Sequence, residues 1–87
     1  MDKEHPPLYT QEVIVFRTGV DNADVSQPVT VAIDAAGNHA LFDGNHRAKR
    51  SEKIGEPLSR NIVGRLPFDV SQNPNYRLIP ELKVVEK

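Results

Sequence analysis

Apolar residues fall along this chain in short runs separated by polar, Gly- or Pro-containing breaks, a spacing that suits short strands better than long helices. Residues 12–17 (EVIVFR) are β-branched and aromatic, which predicts a strand. The run is too apolar for simple alternation, so it is expected at the centre of a sheet, with Thr18-Gly19 breaking it. Residues 21–28 are polar and aperiodic and predict a connection closed by Pro28, with room for a short turn of helix at 22–26. In residues 29–34 (VTVAID), Val29, Val31 and Ile33 share one face and Thr30 and Ala32 the other, the period of two of a half-buried strand. Ala35-Ala36-Gly37-Asn38 then predicts a hairpin turn, and residues 39–43 (HALFD) the returning strand.

Residues 45–54 are the strongest helix candidate: small polar residues open the segment, Gly55 suits the position just past a helix C-terminus, and Pro57 prevents continuation. Its expected buried stripe, Ala48, Ser51 and Ile54, is weakly amphipathic, so the sheet rather than intrinsic propensity must hold it. Residues 60–66 (RNIVGRL) predict a further strand, with Gly64 at a bulge or close approach. Beyond Pro67 comes a polar turn at 71–75, then an apolar segment at 78–85 interrupted by Pro80. There a proline-started helical turn and an edge strand both fit, and the two valines favour the strand. The expected fold is α+β: a small mixed β-sheet with a short helix following the DGNHR turn, forming a single domain over residues 11–87. Residues 1–10, with His5-Pro6-Pro7, read as an N-terminal arm.

Composition narrows the function classes. With 87 residues there is room for one core only, and a chain of this size hides about 60–65% of its unfolded surface, so burying a large ligand inside is not expected. The absence of cysteine removes disulfides, thiolate metal sites and cysteine nucleophiles. A formal charge of −1 and a pI near 6.3 argue against bulk electrostatic adhesion to nucleic acid, so any such contact must be local. No apolar run approaches the roughly 20 residues of a spanning helix, and no charged-then-apolar leader opens the sequence. The reading is a soluble chain without a signal peptide or membrane contact.

The chemistry concentrates where strand passes into helix. Helix starts present unpaired amides and the positive end of the dipole, a setting that attracts oxyanions, and Gly44 lets backbone approach closely. His46 and Arg47 are cations placed where the helix disfavours them, by a few tenths to about 1 kcal/mol each, so a compensating anion is expected. Guanidinium grips phosphate through two parallel bonds, and imidazole can donate a hydrogen bond or move a proton. Lys49, Arg50 and Lys53 read as a solvated face, with Arg50, three residues after Arg47, the candidate for a second phosphate. Asp43 serves equally as a helix cap or turn former and as an acid for metal or water. Glu12 and Asp34, at strand ends, are the other candidates for a magnesium ligand or general base. His39 is expected at the surface. Tyr9 and Tyr76 are expected to pack in core or surface, with stacking on a base as the functional alternative.

Asp43-Gly44-Asn45-His46-Arg47, followed by a helix and Gly55, resembles the signature of the ParB/sulfiredoxin superfamily, a small α/β fold whose members bind nucleotides or phosphate at this turn. The likeness covers residues 29–63. Sulfiredoxins carry a catalytic cysteine where this chain has Asn45, so sulfinic-acid repair by that route is excluded. The partition proteins resemble glycine, two residues, arginine, two residues, alanine; here Gly44 and Arg47 match and Arg50 replaces the alanine. The helix-turn-helix and dimerisation regions of those proteins are missing as well.

The resemblance therefore points to the small stand-alone members, some described as nucleases, nucleotide hydrolases or kinases, and some as toxic tips of bacterial secreted proteins. It implies a domain that binds a nucleotide or nucleic-acid phosphate at Gly44, Asn45, His46, Arg47 and Arg50 and cleaves a phosphoester, acting in the cytoplasm. His46 would be the proton donor, Arg47 the charge clamp, and Asp43 the acid that orients water or Mg2+. An immunity protein or other protein partner is implied for a toxin tip. The alternatives are a nucleotide-binding module that turns nothing over, and an adaptor whose pocket is vestigial.

Overall fold

In the computed structural model, residues 6–86 are described. Alternation of Val29 and Val31 with Thr30 drives strand β3 (Val29–Ile33), which runs antiparallel to β4 (His39–Asp43) through the expected turn at Gly37, whose φ of 86° favours glycine. Asp34 closes this hairpin, its carboxylate accepting from the amides of Ala36 and Asn38. On the other side of β3, strand β5 (Arg60–Arg65) pairs in parallel. The register slips between Ile62 and Gly64, leaving Val63 as the extra residue of a bulge beside the glycine that suggested one.

The described end of the expected N-terminal arm is instead a strand. β1 (Leu8–Thr10) lies parallel to β4 and antiparallel to the two-residue β6 (Arg77–Leu78), completing a five-stranded mixed sheet in the order β5-β3-β4-β1-β6. Two prolines precede it without preventing this, because Pro7 offers its carbonyl to the His39 amide and its missing donor is not needed there. His5 and the remainder of the arm lie outside the described residues.

The EVIVFR segment is corrected too. It supplies only β2 (Ile14–Phe16), which leaves the main sheet and forms a parallel ribbon with β7 (Lys83–Val85). Only Val15 is buried, with Ile14 and Phe16 on the outside, so the run is peripheral. Thr18-Gly19 does not break the chain but sits inside helix α1 (Arg17–Asp21), ahead of the expected helical turn at 22–26. At the C-terminal end both anticipated conformations occur in succession: a proline-containing 3-10 turn (Ile79–Glu81) and then β7.

Helix α2 (Asn45–Ile54) has the expected bounds and ends on Gly55 in the left-handed conformation, φ 72°. Its inner face differs from the expected stripe. Ala48 is buried with Lys49, while Ser51 is half-buried and Ile54 is exposed. Lys49 tolerates burial because its ammonium reaches the carbonyls of Ile79 and Pro80 at 3.4 and 3.3 Å, with Glu52 at 3.8 Å. Val20, Val29, Val31, Leu41, Ala48, Leu58, Ile79 and Leu82 form the core that joins both helices to the sheet. The result is a small α+β fold with a mixed sheet and two helices. Among the described residues no helix is long and apolar enough to cross a membrane.

Candidate functional site

The turn from β4 into α2 is shaped by Gly44. Its φ of 108° belongs to the left-handed region, and a Cβ there would lie 2.5 Å from Cγ1 of Val29. The backbone thus crosses the first residue of β3 too closely for any side chain. The Ala48 amide donates to the Gly44 carbonyl at 2.8 Å, closing the first helical turn, and no side chain caps the amides before it. Asp43 is therefore not the cap that its position allowed.

This helix start opens on a cavity of about 250 Å3 bordered by Glu12, Ile14, Val15 and residues 43–47. Asp43, Gly44, Asn45, His46 and Arg47 are brought together there, as the sequence implied, and Glu12 joins them from the chain between β1 and β2. A larger cavity, about 440 Å3, lies on another flank of α2 against Leu8, Leu58 and Ile79. It is floored by core residues and holds none of the anticipated groups, which border the smaller one instead.

Most polar side chains at the smaller cavity already have protein partners; the Glu12 carboxylate has none among the described residues. Asn45 accepts at Oδ1 from the Thr10 hydroxyl, 2.5 Å, and that hydroxyl oxygen accepts from the Glu12 amide at 3.1 Å. His46 accepts at Nε2 from the Phe16 amide, 3.3 Å, which places its single ring proton on Nδ1, and its ring packs on Gly19 of α1. Arg47 donates through Nη1 to the Pro28 carbonyl at 2.6 Å and through Nη2 to Asp43 at 3.3 Å. Asp24 is nearby: the Ser26 hydroxyl and then the Ser26 amide hold its carboxyl below the ordinary value, and the Arg47 charge adds a smaller contribution. The compensation that the sequence assigned to a bound anion is thus met in part by the protein itself.

Two anticipated residues do not join. Arg50 does not border the cavity and has no hydrogen bond or ion pair among the described residues. Asp34 lies at the far end of the β3–β4 pair, since antiparallel pairing sets Thr30 beside Asp43 but Ile33 beside His39. It is a structural carboxylate, buried and accepting additionally from the Asn38 side chain and from the Val70 amide at 2.8 Å. Burial pushes its carboxyl up, but these bonds together outweigh burial and leave it below the ordinary value. A metal or base role at this cavity is excluded for Asp34 by position.

His39, expected at the surface, is buried with Nδ1 3.0 Å from Nη1 of Arg60. Among the described residues no group of three or more His, Cys, Asp or Glu side chains is placed to hold a metal. Sequence reasoning missed Thr10, Gly19 and the Pro28 carbonyl. Only Gly19 stood out in the sequence, there as part of the break after residues 12–17. Compared with known proteins, the chain matches no family model, no curated protein and no solved structure.

Proposed function

We propose that this chain is a ParB/sulfiredoxin-like domain that binds a phosphate group of a nucleotide or nucleic acid at the start of α2. The observation that carries the reading is the uncapped helix start, turned through Gly44, at the border of a cavity that also holds Asn45, His46 and Arg47. The amides of residues 45–47 precede the first helical hydrogen bond and point toward the helix start. Arg47 keeps further N–H donors beyond those given to Pro28 and Asp43, and the Asn45 amide nitrogen is free to donate because its oxygen faces Thr10.

Binding without turnover is favoured over cleavage by the state of His46. Its Nε2 is spent on the Phe16 amide, which suits an imidazole that braces α2 against β2 better than one that shuttles protons. Phosphoester hydrolysis is the second reading, favoured by the two carboxylates at the same cavity, Glu12 and Asp43. They would supply one or two ligands to Mg2+, with water and substrate phosphate completing the shell, as this ion commonly requires.

Incubating the protein with nucleotides, plasmid DNA and RNA, with and without Mg2+, and measuring both product and affinity separates the two. Saturable binding without product, weakened by Arg47→Ala, is the expected result. Magnesium-dependent product lost in Glu12→Gln or Asp43→Asn would establish hydrolysis, and absence of any binding would remove the proposal.

A further inference from the structure

A cavity of about 430 Å3 lies apart from the start of α2, bordered by Tyr9, Gln72, Asn73, Tyr76 and Arg77. Its volume falls within the range of small-ligand sites, about 300–1,000 Å3. Successive strand residues point to opposite faces, so where Thr10 is turned toward Asn45 of α2, Tyr9 is turned away from it. The two cavities therefore occupy opposite sides of β1.

The chain contains two tyrosines and no tryptophan, and both tyrosines border this one cavity. Tyr76 is held on one side by Phe68, ring centroids 5.9 Å apart and tilted by 54°. Neither phenol makes a hydrogen bond among the described residues, nor does the Gln72 side-chain amide. Asn73 uses only its oxygen, accepting from the Asn75 amide. Arg77 is anchored through Nη1 to the carbonyls of Gln11 and Glu12, which leaves the rest of its guanidinium plane unspent. Aromatic rings, a guanidinium plane and two carboxamides with unused donors are the groups that take an unstacked base. The flat surfaces stack on it, and the amides pair with its polar edge.

We propose that this cavity binds a nucleobase, stacked on Tyr9 beside Tyr76 and hydrogen-bonded at its edge by Gln72 and Asn73. The assignment does not depend on phosphate binding at α2. A flat ring with alternating donors and acceptors is the ligand class that uses both the tyrosines and the carboxamides.

Uncharged nucleosides test it without involving phosphate: adenosine, guanosine, cytidine and uridine, titrated into the full chain while the two tyrosine ring signals are followed by NMR. At least one nucleoside should shift both sets of signals saturably, with the upfield direction of base stacking. Tyr9→Leu should weaken the response by about five- to a hundredfold, the range of a lost base–aromatic stack. Gln72→Ala, at an exposed residue of a 3-10 turn, keeps the test available if the strand variant does not fold, and it should weaken binding severalfold. Arg47→Ala should leave nucleoside binding unchanged, which separates this site from the one at α2. A response that stays linear to the solubility limit overturns the proposal. So does one whose affinity is undiminished in Gln72→Ala, or saturable binding of a neutral oligosaccharide in place of every nucleoside.

Discussion

A methyl group on Gly19 would lie 2.3 Å from Cδ2 of His46, so the ring would have to swing away and give up its bond from the Phe16 amide. Helix propensity alone would make Gly19→Ala stabilising by about 1 kcal/mol. The contact reverses the sign, and urea unfolding should show a loss of about 1–3 kcal/mol, partly regained when His46→Ala is added. A Gly19→Ala protein as stable as the parent would disprove the contact. Asp34 supplies a second test. With its folded value below the ordinary 3.8, the carboxyl stabilises the fold at pH above that value and loses the contribution as pH falls through its lowered folded value. Asp34→Asn turns one acceptor into a donor facing the Val70 amide and should cost about 1–3 kcal/mol near neutral pH. The gap from the parent should narrow as acidification proceeds below pH 3.8. This role was hidden in the sequence because a strand-end aspartate looks the same whether it closes a turn or faces a cleft. Lys49 was hidden for a related reason, since nothing local announces that two carbonyls of a distant 3-10 turn await its ammonium.

At the scale of elements, β3, β4 and α2 were legible because alternation, a Gly-containing turn and a glycine stop are local signals, and local contacts fix those boundaries. The ends of the sheet were not. β1 and β2 are three residues each, and their partners, β4 with β6 and β7, lie far along the chain. Their pairing, not their composition, decides that one is internal and the other peripheral. The two glycines flanking α2 offer a graded test. Gly55→Ala meets open space and bears only left-handed strain, so a loss of about 1 kcal/mol is expected. Gly44→Ala combines that strain with a 2.5 Å approach to Val29 and should lose at least about 2 kcal/mol. Equal losses in thermal unfolding would mean that the strand-to-helix turn is looser than described.

Over the whole molecule, the DGNHR turn does gather one cavity, but it draws its walls from three places: the helix start, the chain after β1, and β2, against which His46 braces the helix. Sequence reasoning identified the first and, through Glu12, part of the second; Thr10 and Phe16 escaped it because they reach the site only through tertiary pairing. The central claim is that this helix start receives an oxyanion. Its most direct test is a backbone amide NMR titration of the full chain with inorganic phosphate and a nucleoside monophosphate against a matched chloride control. Saturable shifts greatest at Asn45, His46 and Arg47, and reduced in Arg47→Ala, are expected. Shifts no larger there than those produced by chloride, or confined to other parts of the chain, would contradict that claim.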